Sequence, residues 1–259
     1  MSKAIEKFST PSFLAPRPDV NLPILKPGEV NAGLEEVEAK DMVMPRLGIC
    51  QAMSPQRKAN NARFIEGLQE GQLFNTVTGQ IYTPPVYVVP LKFWKSRLYF
   101  APLDQGGGIL CQSLNGRDGG QLSPEGCDKC PHSQWNAQTN QKPACTLLHN
   151  FLCLRLPELE PFAISMKSAS LRISRQWNAQ LKLLNRPIYS ACFEVSVADD
   201  QNKLGQWFNY RLKPAGWLND PELLKQAADL QASMAAKTIT VEVETLTREP
   251  GDEEENTEL

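Results

Sequence analysis

At 259 residues, with 41% hydrophobic content and 20 prolines, the chain has room for one large or two small domains built on a real core with many loops and short strands. No apolar run approaches membrane-spanning length, which excludes an α-helical membrane protein, and seven cysteines, an odd number, fit a reducing cytosol better than a disulfide scaffold. The formal net charge of -2 hides an asymmetry, because residues 242–259 carry eight acids against Arg248 alone and leave the rest of the chain net basic.

Residues 1–42 read as an extended arm. They are proline-rich, poor in large apolar residues and without periodicity, with one short helical turn over 35–40. The N-terminus lacks the apolar stretch and cleavage site of a secretory signal, so a cytoplasmic location is expected. A globular body follows from 43 to 247. Residues 43–52 read as a strand and 55–68 as a helical segment weakened by Asn60-Asn61. Leu73-Phe74 and Ile81-Tyr82 flank a turn sequence and form a hairpin. Val86 to Trp94 is a strong strand with Pro90 marking an edge or a bulge, and Arg97 to Phe100 is its successor. Gly106-Gly107-Gly108 lacks the Lys-Ser/Thr of a phosphate loop and reads as a turn.

Lys92, Trp94, Lys95, Arg97 and Tyr99 interleave cations with aromatics on that strand. Aromatic faces stack on unpaired bases at about 1–3 kcal/mol each while cations hold the phosphates. The same residues are equally well read as core aromatics with solvated cations. Beyond the central loop, 151–156 and 162–166 are strands and 168–184 a helix with Ile173, Trp177, Leu181 and Leu184 at helical spacing. No acid falls between Pro161 and Phe193, whereas Lys167, Arg172, Arg175, Lys182 and Arg186 do, a surface suited to a phosphate backbone. Residues 189–197 and 205–212 form a hairpin. Asn219 or Asp220 caps a helix starting at Pro221 and running to about 236, and 237–247 is a final strand. The acidic tail, 248–259, includes Asp252, Glu253, Glu254 and Glu255.

The segment from Cys111 to Cys145 carries the sharpest signal. It is polar, rich in Gly, Asn and Gln, and holds the CxxC pair Cys127 and Cys130 between the outer cysteines. Such a segment cannot offset its ordering entropy by apolar burial. One structural zinc ion, held by Cys111, Cys127, Cys130 and Cys145, supplies what the core lacks. His132 and His149 compete with Cys145 for the fourth position. Four protein ligands leave no place for a water, so the metal is structural. With two histidines and no clustered carboxylate pair in the basic body, no acid–base set is evident and the chain is not expected to be an enzyme.

The fold expected is mainly β with a few helices, a five-stranded partly open barrel with the zinc knuckle inserted at about 111–145. The order LKFWKSRLYF, ILCQS, polar loop, CDKCPHSQW and FLCLRL resembles the zinc-bearing OB-fold core of phage single-stranded DNA-binding proteins of the T-even type, the matching positions being Cys111, Cys127 and Cys130. The chain departs from that pattern in three ways. The family's fourth ligand is an upstream histidine and none precedes Cys111, the loop before the knuckle is longer, and the N-terminal arm is not basic. The resemblance implies a largely sequence-independent single-stranded DNA-binding protein of replication, recombination or repair in the host cytoplasm. Its acidic tail would recruit replication or recombination proteins, and self-association through the arm is left open. The alternative is a zinc-ribbon protein-interaction factor in transcription or virion assembly.

Overall fold

The computed structural model describes residues 33–34, 36–37, 43–102, 108–202 and 205–235. Most of the expected arm, the Gly106-Gly107 part of the turn, the strand over 237–247 and the acidic tail lie outside them. Residues 1–42 group as one unit and 43–259 as another. In the first, Val37 N–H closes a turn on the Leu34 carbonyl. Among the described residues no helix is long and apolar enough to cross a membrane.

The second unit is mainly β and antiparallel. A small sheet has the order β1 (Leu47–Ile49), β2 (Leu73–Asn75), β3 (Ile81–Tyr82). The large one runs β7 (Glu160–Met166), β6 (Thr146–Leu156), β4 (Val86–Phe100), β8 (Ala191–Asn202), β9 (Gly205–Trp217), with β5 (Ile109–Ser113) paired to the far end of β4. Among the described residues no closed barrel forms. The β1 segment does stand beside both outer strands. Ala163 N–H of β7 donates to the Pro45 carbonyl at 2.8 Å, and the Tyr210 hydroxyl of β9 donates to the Leu47 carbonyl. Gln51 adds a two-way bond to the Phe208 backbone, accepting its N–H at 2.9 Å and donating to its carbonyl at 2.8 Å.

β4 is the spine. The bulge expected at Pro90 forms between Pro90 and Lys92, and the strands expected over 86–94 and 97–100 are one of 15 residues. Successive residues of β6 point to opposite faces. Phe151 and Cys153 enter one core with Trp177 and Leu181 of α1 (Leu171–Leu183), Phe193, and Leu47, Leu73 and Tyr82 of the small sheet. Leu152 and Leu154 enter the other, with Val89, Leu91 and Ala227 of α2 (Pro221–Ala235). The cap expected for α2 forms at Asp220, whose carboxylate accepts the N–H groups of Glu222 and Leu223 at 2.8 and 3.2 Å.

The helix expected over 55–68 is reduced to one 3-10 turn, Pro55–Arg57, followed by turns, consistent with the poor helix propensity of Asn60-Asn61. The strand over 43–52 shrinks to β1. Where the small sheet meets β6 and β7, Glu160 accepts from Asn75 (2.8 Å), Tyr82 (3.0 Å) and Arg155 (2.8 Å), and Arg155 lies 4.9 Å over the Tyr82 ring. Burial, first, pushes the Tyr82 phenol up to about 12, which keeps it a donor in this network.

Candidate functional site

The outer cysteines owe their places to the sheet. β5 and β6 flank the end of β4, with Cys111 directly opposite Tyr99 and Thr146 opposite Leu98. Continuing that register sets Cys145 beside Tyr99 from the other side. Cross-strand neighbours share a face, so Cys111, Tyr99 and Cys145 stand abreast with Arg97 next along β4. The loop between then folds back. Cys127 N–H donates to the Arg117 carbonyl at 2.7 Å, Gly126 turns the chain at φ 113°, and Cys145 N–H donates to the His132 carbonyl at 2.8 Å. The Ser133 hydroxyl closes the knuckle on the Cys130 carbonyl at 3.0 Å. The approach is close enough that a Cβ at Gly120 would stand 2.6 Å from the Cys111 sulfur.

All four predicted thiols, with Arg97, Tyr99 and His132, line one cavity of about 10 Å³. Cys127, Cys130 and Cys145 are 6%, 7% and 9% exposed. All seven cysteines are free thiols. The thiols share the cavity without closing on a common point, and among the described residues no three His, Cys, Asp or Glu side chains are arranged to hold a metal ion. The donor types suit zinc all the same, four soft thiols lining one cavity with a cation and no carboxylate. Burial is the main cause that pushes the Cys145 thiol up to about 11, with Arg97 opposing it and Cys127 and Cys111 adding to it. A divalent cation in the cavity would supply the charge that lets these thiols ionise.

Of the two histidines, His132 belongs to the cavity and stacks on Tyr99, with ring centroids 4.7 Å apart. His149 does not line it. Its Nδ1 lies 2.7 Å from the Ser174 hydroxyl of α1, and its ring meets Phe93 edge-on. Burial, then the charges of Lys95 and Arg175, pushes His149 down from 6.5 to about 4. A histidine held neutral contributes stability that is complete above its unfolded pKa. That contribution is lost as the pH falls from about 6.5 through the folded value. The loss approaches ~3 kcal/mol at about 1.4 kcal/mol per unit. Urea unfolding of the native chain between pH 7 and 4 is expected to show this slope and His149→Asn to lack most of it; equal slopes would remove His149 as the cause.

The structure places the other predicted residues in different surroundings. Lys92 and Trp94 turn to α2. The Lys92 ammonium donates to the Met234 and Ala235 carbonyls at 2.9 and 3.0 Å, capping the helix, and Trp94 packs on the core beneath it. Arg97 and Tyr99 wall the cysteine cavity. Lys95, paired across the strands with His149, and Arg175 of α1 are both exposed, and the charge of each bears on His149. Lys167 sits at the turn into α1, and Arg172 lines an open groove of ≈ 330 Å³ between α1 and the β8–β9 hairpin.

That groove adds residues the sequence reading passed over. Arg211 faces it from β9, Gln176 and Gln180 line it from α1, and Asp199 and Asp200 stand at its β8 wall. At the C-terminal end of α1, Arg186 lies 5.1 Å over the ring of half-exposed Trp217. The only prior hint was the aromatic and basic mix of 207–213; its pairing with α1 is a tertiary fact. The tail residues Asp252, Glu253, Glu254 and Glu255 lie outside the described residues.

A family model described as Pam3 phage gp34-like protein matches residues 21–240. No curated protein and no solved structure is significantly similar to the chain.

Proposed function

Because the chain belongs to the Pam3 phage gp34-like protein family, whose name points to a phage origin, we propose that it is a phage protein that binds single-stranded nucleic acid along α1. The observation that carries this reading is the clustering of cations there. Lys95, the cross-strand neighbour of His149, and Arg175 of α1 both lower the His149 pKa, and Arg172 and Arg211 line the neighbouring groove, with Asp199 and Asp200 at its β8 wall. Phosphates would follow the helix, and the groove, with its amides and its Tyr210 and Trp177 floor, would take a base or sugar. The acids of the tail would compete with phosphate for the same surface or be handed to a replication protein.

The fold reading is a partly open barrel of OB type, supported by the β1 segment hydrogen-bonded to both β7 and β9. Zinc held by Cys111, Cys127, Cys130 and Cys145 would supply a charged crosslink that fixes the knuckle against β4. In this reading Lys95, Lys167, Arg172 and Arg175 contact the strand, whereas Lys92, Trp94, Arg97 and Tyr99 hold the scaffold that presents them.

The test is fluorescence anisotropy of a labelled dT oligomer at two salt concentrations, with the full chain and with residues 248–259 deleted. Salt-sensitive binding that prefers single strand to duplex and strengthens without the tail is the expected result. Absence of binding at low salt with zinc present would end the proposal. One observation favours the alternative, a zinc-ribbon protein-interaction factor. Ile109, Leu110, Leu114, Leu122 and Trp135 are all exposed within the knuckle and its entry strand.

A further inference from the structure

Four thiolates around Zn²⁺ make a centre of charge -2, and in a small, largely buried cavity that charge is expensive to hold without nearby donors. Among the side chains lining this cavity the one permanent cation is Arg97. It sits on β4 between Ser113 of β5 and Leu147 of β6, one residue pair along from the row formed by Cys111, Tyr99 and Cys145. Its side chain lines the same cavity as the Cys145 sulfur. Its Nε is buried and has no acceptor among the described residues, which leaves a donor unspent at the cavity wall. His132, the competing ligand, is held flat against Tyr99 on the same wall.

Resting on the zinc reading above, we propose that Arg97 is the positioning residue of the metal centre, donating to the Cys145 thiolate and offsetting the tetrathiolate charge, so that Cys145 and not His132 is the fourth ligand. When zinc enters, the four thiols release their protons to solvent and Arg97 keeps its own, so the centre and its partner together carry -1. A Cys3His centre would carry -1 without help and would have no use for the guanidinium. Hydrogen-bonding partners of this kind change metal affinity by about 10–100-fold. The planar fork of arginine suits sulfur acceptance from a fixed strand position, whereas lysine offers only a point charge.

The experiment uses the full chain loaded with zinc or with Co²⁺ as a spectroscopic substitute. The readouts are the sulfur-to-cobalt charge-transfer intensity, which counts thiolates, and the rate of zinc loss to a chelator. The native chain is expected to show four thiolates. Arg97→Met should lose zinc about 10–100-fold faster, with Arg97→Lys intermediate and His132→Ala unchanged, and the metal-loaded Arg97→Met chain should keep the native salt dependence of dT binding. Cys145→Ser should drop the count to three. Native-like zinc retention in both Arg97 variants, or a three-thiolate native spectrum that shifts in His132→Ala, overturns the role of Arg97 and leaves the zinc reading standing. A native chain that takes up no metal at all overturns both.

Discussion

Replacing Cys127 and Cys130 together by serine is expected to abolish zinc uptake, from one ion per chain to none, and to unfold residues 109–145 while the rest of the sheet survives. The reason lies in what that segment buries. Between 114 and 144 the side chains shielded from solvent are Ser123, Cys127 and Cys130, while Leu114, Leu122 and Trp135 point outward. The interior of the loop is therefore its sulfur atoms, closed by Cys111 and Cys145 from the flanking strands. With no aliphatic core there is nothing else to offset the ordering of about thirty residues. Metal binding of this type is worth about 10–16 kcal/mol in small peptides at neutral pH. Trp177, Phe151 and Phe193 pack elsewhere and do not depend on it. Metal analysis with amide hydrogen exchange reads both halves of the prediction. Loss of zinc with protection across 109–145 unchanged would show that the segment is ordered by something other than the ion.

Reversing three cations, Lys95→Glu, Arg172→Glu and Arg175→Glu, is expected to weaken dT binding about a hundredfold at 50 mM salt and to flatten its log–log salt dependence by about 2, since each phosphate contact to a single strand contributes about 0.7 to the slope. All three side chains are exposed, so the melting temperature should change little. Trp94→Ala is the contrasting variant. Its ring belongs to the core under α2, so it should cost stability and leave the salt slope intact. If Trp94→Ala alone removes binding from a folded chain, while the triple reversal does not, the strand lies on the α2 side of the sheet and the proposed path along α1 is wrong.

What the sequence disclosed follows from range. The gathering of Cys111, Cys127, Cys130 and Cys145 was legible because its information is local and chemical, a CxxC pair in a stretch with nothing else to bury; the structure lines one cavity with those four thiols, without arranging three of them to hold a metal ion. The α2 cap was legible for the same reason, Asp220 before Pro221. The aromatic and basic strand was not. Alternation says that Lys92 and Trp94 share one face and that Lys95, Arg97 and Tyr99 share the other, but it cannot say which face a distant helix covers. Lys92 and Trp94 are claimed by α2 from more than a hundred positions away, and Arg97 and Tyr99 by the knuckle. Pro90 was legible too, being local. It reads as an edge or a bulge within one strand, and the bulge forms between Pro90 and Lys92.

The order in which β4 finds its partners bears on how the chain is made. β5, the knuckle and β6 follow β4 directly, so the cysteine cluster can assemble from one unbroken stretch soon after it leaves the ribosome. The β1 segment must wait much longer, since its hydrogen bonds to Tyr210 and Phe208 join positions 163 and 157 residues apart. Loop closure over such distances is slow. A chain caught midway would hold a finished knuckle on an open sheet, with the apolar face of β1 to β3 still unclaimed. On the zinc reading proposed above, zinc supply during synthesis, rather than after it, would then decide how much of the protein reaches its native state.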